Sequence, residues 1–211
     1  MPPLDPEQNR LYTRVEDLHP SHWERLERRD PAEAARAAGA QWDGRAFHLR
    51  VAGVAVRVAP RTRQVVYAAD PSRSVRYQQA LVAVAYLGRA VEVPPAGLWV
   101  RFRDLPGGDA FFRGLHAVDT PRLAAAFGRR PQALLRAADG LGGRRAQGGD
   151  AAVELPALPR VPVRVIVWTG DEEFEPSATL LTDARAHLHL PLDGLWALSN
   201  LVVAGLVREA A

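Results

Sequence analysis

The residues best suited to chemistry fall in two stretches. Residues 161–183 read V-P-V-R-V-I-V-W-T-G-D-E-E-F-E-P-S-A-T-L-L-T-D. The turn at the centre holds Asp171, Glu172, Glu173 and Glu175, with Asp183 further on. Carboxylates this dense repel each other unless a cation, a proton or a hydrogen-bond donor offsets them. They could hold a hard cation, or work as a general acid/base pair. A plainer reading stands beside these: some accept backbone N–H bonds of the turn, and others are solvated or paired with Arg160, Arg164 or Arg185. The spacing of an EF-hand calcium loop is missing.

The second stretch is Leu98-Trp99-Val100-Arg101-Phe102-Arg103-Asp104-Leu105-Pro106-Gly107-Gly108-Asp109. Pro106-Gly107-Gly108 demands a tight turn with positive φ. Asp109 is placed to cap a short helix over residues 110–116. A glycine turn opening a helix presents backbone N–H groups that can hold an anion, and Arg101 and Arg103 stand nearby. The competing reading is that the glycines merely turn the chain. His116, His187 and His189 are the histidines that could offer a metal ligand, although a lone histidine is more often structural or exposed. His187-Leu188-His189 has same-face spacing only on a strand.

Absences narrow the chemistry further. The chain of 211 residues has no cysteine, and all 27 basic residues are arginine. Disulfides, thiolate nucleophiles and cysteine-ligated iron–sulfur clusters are excluded within the chain. So are a Schiff-base lysine and the lysines of phosphate loops and kinases. Residues 140–150, G-L-G-G-R-R-A-Q-G-G-D, lack the lysine and serine of a phosphate loop and read as a flexible Gly/Arg-rich surface loop. The net charge of +3 is modest and the arginines are scattered, so nucleic-acid binding is weakly supported. An anionic small ligand held by arginine forks fits at least as well. No apolar run approaches the ~20 residues needed to cross a bilayer. The opening M-P-P-L-D-P-E-Q-N-R has no apolar signal region. A soluble, cytoplasmic protein without a membrane partner is the expectation.

The elements that must position these residues follow from periodicity. Val161, Val163, Val165 and Val167 alternate with Pro162, Arg164, Ile166 and Trp168, which predicts a strand apolar on both faces and therefore central in its sheet. Residues 178–182 predict its antiparallel neighbour, with 170–177 as the link. Residues 48–58 predict a β-hairpin turning at Gly53, and 64–68 a third strand. Helices are predicted over 21–29, opened by a Ser21–Glu24 capping box, and over 31–38, capped by Asp30 and stopped at Gly39. Others are expected over 74–90, 121–127, 131–139 and 192–208, and a short strand over 152–155. Residues 1–40 form a helical N-terminal segment in this reading, with 6–39 largely helical. The fold class expected is a single α+β domain, an antiparallel or mixed sheet packed by helices.

At W-T-G-D-E-E-F the chain resembles the DUF3786 family of prokaryotic proteins. Trp168, Gly170, Asp171, Glu172, Glu173, Phe174, Leu181 and Asp183 match its late motif. Arg101-Phe102-Arg103-Asp104-Leu105-Pro106-Gly107-Gly108 matches its earlier one, and Pro159-Arg160-Val161-Pro162 also fits. The resemblance runs from about Trp23 onward. It implies no settled activity. Some similar proteins carry an added cysteine-rich iron–sulfur domain, which implies redox or metallocofactor metabolism. In this cysteine-free chain such a role implies a separate iron–sulfur partner protein.

Three functions follow as expectations. The first is a non-catalytic module binding an anionic or metal-containing cofactor or metabolite, a tetrapyrrole or corrinoid among them. Its site would combine Arg101, Arg103, Gly107, Gly108 and Asp109 with Trp168, Asp171, Glu172, Glu173 and Phe174. Trp99, Phe111 and Phe112 would add aromatic walls. The second is an enzyme using the carboxylates of Asp171 and Glu173 with a divalent cation. The third is an interaction or scaffold protein. The first requires the glycine turn and the acidic turn to reach a common cleft.

Overall fold

In the computed structural model, residues 14–210 are described. Alternating apolar residues build two antiparallel sheets. The first contains β1 (Gln41–Trp42), β2 (Phe47–Val51), β3 (Val54–Ala59) and β4 (Gln64–Tyr67), in that order. Phe47, Leu49 and Val51 point to the core, while Arg50 between them is exposed. The β2–β3 turn is Ala52-Gly53, with φ of 48° and 83°. Positive φ at both positions gives the backbone twist a two-residue hairpin needs.

The second sheet contains β5 (Trp99–Arg101), β6 (Arg144–Arg145), β7 (Ala151–Leu158), β8 (Val161–Trp168) and β9 (Ser177–Asp183), ordered β5-β9-β8-β7-β6. The expected central strand is β8, and the residues joining it to β9 form the acidic turn, as its pattern predicts. Val161, Val163, Val165 and Val167 are completely buried. The opposite face carries a cross-strand row: Arg144, Glu154 and Arg164 are in register, and Arg164 lies over Trp99 at 4.4 Å. Partial burial pushes the Glu154 carboxyl up, but Arg164 and Arg144 outweigh it, and its pKa lies below the ordinary value.

The helices are α1 (Pro20–Glu27), α2 (Pro31–Ala38), α3 (Tyr77–Arg89), α4 (Gly108–Phe111), α5 (Thr120–Phe127), α6 (Pro131–Gly140), α7 (Ala186–His189) and α8 (Leu192–Glu209). The protein is therefore α+β. The caps of α2 are as expected: the Asp30 carboxylate accepts from Glu33 N at 2.9 Å, and Gly39 has φ 63°. The start of α1 is not. Pro20 takes the first helical position, where a missing N–H costs nothing, so His19 is the cap and its ring accepts from Ser21 N. Likewise α3 begins at Tyr77, not residue 74, because β4 captures the preceding residues: Ser74 bridges Val66, and Val75 N donates to Val65 O. The expected helix over residues 110–116 is α4, which starts two residues earlier, followed by a separate 3-10 turn at Gly114–His116. Residues 6–13 of the expected helical stretch lie outside the described residues.

Gly/Arg-rich residues 140–150 contribute β6 and then cross the open face of β8. A Cβ on Gly149 would lie 2.5 Å from Val167 O, and one on Gly148 would lie 3.2 Å from Ile166. Glycine permits that approach.

One contiguous apolar core runs through both sheets and the helices. Its axis is α3, in which every residue from Gln79 to Gly88 is buried. A helix apolar all round must be central. Tyr86 ties α3 to two further elements by hydrogen bonds. Its hydroxyl donates to Ala38 O at 2.7 Å, at the end of α2, and accepts from Arg160 N at 3.1 Å, at the β7–β8 turn. The Arg160 guanidinium then reaches back to Arg36 O and Ala37 O. A cation there complements the C-terminal end of the helix dipole. The two sheets meet at Ala52 N, which donates to Ala157 O at 2.8 Å beside the irregular register of β7.

Two stability predictions follow from this core. Tyr86→Phe removes both partners from enclosed backbone groups, and chemical denaturation should show a loss of about 1–3 kcal/mol. The second concerns His189, which is completely buried with neither ring nitrogen hydrogen-bonded. Burial, and then repulsion from Arg160, lowers its pKa from 6.5 to about 4. The unfolded chain therefore binds more protons than the folded one across that interval. Stability from the neutral ring should be complete above about pH 6.5 and fall as pH drops toward 4, by about 3 kcal/mol. Denaturation of wild type and His189→Leu across this range should show that component only in the wild type.

Candidate functional site

A difference in strand length creates the site. β9 runs from Ser177 to Asp183, but β5 pairs only with Leu181, Thr182 and Asp183, through Arg101, Val100 and Trp99. The chain leaves the sheet at Phe102 in a 3-10 turn over Phe102–Asp104. The edge of β9 at Ala178, Thr179 and Leu180 then faces a cleft of about 290 Å³. No backbone hydrogen bond reaches this edge from residues 102–120 among the described residues. Phe102, Phe112 and Val118 give the cleft apolar walls, Arg101 and Arg103 stand at its rim, and Thr120 lines it at the start of α5. An unpaired strand edge is a row of backbone donors and acceptors.

The glycine turn shapes this cleft from behind. Gly107 has φ 76°, and a Cβ on Gly108 would lie 2.4 Å from Phe102 O and 2.9 Å from Arg103 O. The first turn of α4 therefore sits directly on the carbonyls of the 3-10 turn. Gly108 N donates to Leu105 O at 2.7 Å, so this amide is already engaged within the turn. Asp109 lies inside α4 and does not cap it. Its carboxylate joins Arg103, at 2.6 Å, to Arg113. Arg101 forms a two-pronged pair with Asp104, at 2.9 and 3.2 Å. Arg101 holds the Asp104 carboxyl below the ordinary carboxylate range, and Arg103 with Arg113 does the same for Asp109. Each arginine at the rim is thus paired with an aspartate, and Arg113 adds a further positive charge at Asp109.

The aromatic rings serve packing. Phe102 meets Phe112 edge-on at 5.5 Å, Phe112 meets Phe111 at 5.1 Å, and Phe111 stacks on His116 at 4.6 Å. His116 ends the chain of rings against Trp196 of α8. Trp99 lies under Arg164 on the open sheet face.

The acidic turn is built around Asp171. Its carboxylate accepts from Glu173 N at 2.9 Å and Phe174 N at 2.8 Å, and these amides lower its pKa. Asp171 N returns a bond to Phe174 O. Glu172, Glu173, Phe174 and Glu175 are exposed, and Trp168 at the end of β8 is 39% exposed. Among the described residues, no group of three or more His, Asp or Glu side chains could hold a metal ion. His187 and His189 lie on the single turn of α7, so the same-face spacing of a strand does not arise. His187 Nδ1 contacts Ala184 O, and His189 is enclosed. Of the residues singled out from the sequence, the β9 cleft takes in Arg101, Arg103 and Phe112, but not Trp99 or Phe111. The glycine turn supports it, and the acidic turn is not part of its lining.

A wider depression of about 470 Å³ lies against the first sheet, beside Gln41, His48, Arg50, Pro156 and Pro159. Its polar groups are committed locally: His48 Nε2 meets Asp43 at 2.7 Å, and Arg50 donates to Gly53 O.

Asp183 is the clearest residue that the sequence named without a role. It is 1% exposed, and its oxygens accept from Ala96 N, Gly97 N and Arg185 N at 2.7–2.9 Å. This clamps residues 94–97 to the sheet just before β5. The family model described as "Domain of unknown function (DUF3786)" matches residues 30–204. The chain belongs to the DUF3786 family. No curated protein and no solved structure matches it. The DUF3786 motif residues that resemble a ligand site in the sequence are thus largely explained by turn closure: Gly108 by contact with carbonyls, Asp171 by its Asx turn, Asp183 by its clamp.

The Gly108 contact can be tested directly. Gly108→Ala must push residues 102–103 away from α4. It should lower stability by about 1–3 kcal/mol, the usual scale for overpacking. Gly107→Ala meets only Leu192, at 3.4 Å, and should cost about 1 kcal/mol through its positive φ. Urea denaturation of the two variants should rank them in that order.

Proposed function

We propose that the protein is a non-catalytic binding module that takes a small anionic ligand with an apolar body in the cleft at the open edge of β9. The observation that carries this reading is the meeting of three features at one place. The Arg101 and Arg103 side chains stand at the rim, 69% and 55% exposed. The walls are apolar, and the strand edge offers unpaired backbone groups. A guanidinium has five N–H donors. Pairing with Asp104 or Asp109 occupies only part of each fork, so an incoming carboxylate or phosphate still finds charge-assisted donors. A volume of about 290 Å³ is at the lower end for small-molecule sites, which favours a compact metabolite over a tetrapyrrole or corrinoid.

The metal-dependent reading of Asp171 and Glu173 has less behind it. The Asp171 carboxylate is taken up by its own turn, and among the described residues no group of three or more His, Asp or Glu side chains could hold a metal ion. Among the same residues, no helix is long and apolar enough to cross a membrane.

The test uses 8-anilinonaphthalene-1-sulfonate, which is anionic and aromatic. Its fluorescence should rise saturably on addition of the protein, and inorganic pyrophosphate should compete. Arg101→Ala with Arg103→Ala should weaken binding at least about tenfold, the scale of one lost charge-assisted bond. Far-UV circular dichroism would confirm that the variant folds. Binding that ignores the double substitution would place the ligand elsewhere.

A further inference from the structure

The open edge of β9 restricts what its cleft can hold. In an antiparallel ladder the backbone groups of successive residues face opposite neighbours. Ala184 N donates to Leu98 O, on the side of β5. Stepping back by twos, Thr182, Leu180 and Ala178 turn their backbone groups to that same side. The inner ladder agrees. Val167 O accepts from Asp150 N and so faces β7, which leaves Ile166 facing β9 with Thr179 as its partner. Thr182 is matched by Val100 of β5. Leu180 and Ala178 meet no backbone hydrogen bond from residues 102–120 among the described residues, and both line the cleft. A ligand that satisfies N–H and C=O groups two residues apart on one strand edge is itself an extended backbone.

The closed end of the cleft decides which part of a chain fits. β5 fills the edge of β9 from Asp183 to Leu181, with Arg101 opposite Leu181. A strand added in line with β5 must stop there, so a chain terminus belongs at that end. The charged groups lining the cleft are the guanidinium groups of Arg101 and Arg103, while Asp104 and Asp109, which pair with them, do not line it. They match a carboxylate and repel an α-amine. A chain with its carboxylate at this end runs in the same direction as β9. The walls of Phe102, Phe112 and Val118 suit an apolar last side chain.

We propose that the ligand of this cleft is the C-terminal end of a peptide, added as a short parallel strand to β9 at Ala178–Leu180. Its free α-carboxylate lies at Arg101 and Arg103, and its last side chain is apolar. This inference rests on the reading of the cleft as an anionic-ligand site and names the ligand's class.

N-acetylated tetrapeptides ending in leucine test it, by isothermal titration calorimetry and by displacement of 8-anilinonaphthalene-1-sulfonate. The free acid should bind and displace the dye. The C-terminal amide should bind at least about tenfold more weakly. Arg101→Ala with Arg103→Ala should erase that preference. Only alternate amides of a strand face its neighbour, so N-methylation should weaken binding at one of two successive peptide residues and spare the other. Ala178→Pro removes an N–H that faces the cleft and not β8, a change an edge strand tolerates. It should leave circular dichroism unchanged and weaken the free acid at least about tenfold. Dye binding that depends on the arginines but resists every peptide overturns this inference and leaves the anionic site standing. Equal binding of acid and amide, or equal effects of the two N-methylations, also overturns it. Dye binding that ignores the double substitution removes the anionic site itself, and the inference with it.

Discussion

The arrangement of the whole chain depends on one buried hydroxyl. Tyr86 sits on the helix around which everything else is packed, and its oxygen is shared between the last turn of α2 and the β7–β8 turn. Desolvation raises the phenol far above its ordinary pKa, so it stays neutral and can both donate and accept. Arg160 completes the joint by covering the carbonyl end of α2. The interaction matters because the two sheets touch each other so little. Their direct backbone link is Ala52 to Ala157. The common helix and this joint set the angle between them, and an apolar core then fills the space that angle defines.

The site is a by-product of the second sheet rather than of any motif. β8 and β9 pair along nearly their full length, whereas β5 contributes three residues and stops. What ends β5 is the 3-10 turn at Phe102, and what keeps it ended is α4 resting on that turn through Gly108. The clamp at Asp183 holds the other end of β5 in place. Three short-range constraints thus leave the outer edge of half of β9 unpaired, and the arginines that flank Phe102 come to rest beside it.

The backbone architecture was largely legible from the residues. Four alternating valines placed β8 at the centre, Asp30 and Gly39 bracketed α2, and the positive φ expected of the Pro106-Gly107-Gly108 turn falls at Gly107. Helix starts were less legible, because rival partners decide them. Pro20 moved the cap of α1 to His19, and β4 took Ser74 and Val75 from α3. The motifs were conspicuous for a different reason from the one their composition suggests. Carboxylates and glycines are also the residues that close tight turns, and Asp171, Asp183 and Gly108 are occupied with that. The walls of the cleft gave a partial signal: Phe112 was expected as an aromatic wall, and it lines the cleft. Phe102 and Leu180 look like ordinary core residues until strand lengths are compared, and sequence does not fix where a three-residue strand stops.

The short β5 has a further consequence for how such a fold can diversify. Residues 102–120 form a cap on the strand edge, anchored in the core by Phe102, Leu105 and Phe112. Lengthening or re-lettering that cap would alter what fits against β9 without disturbing a single pair of the ladder. A changed cap can therefore reshape the cleft on an unchanged ladder, with Gly108 as the hinge-pin that it must respect.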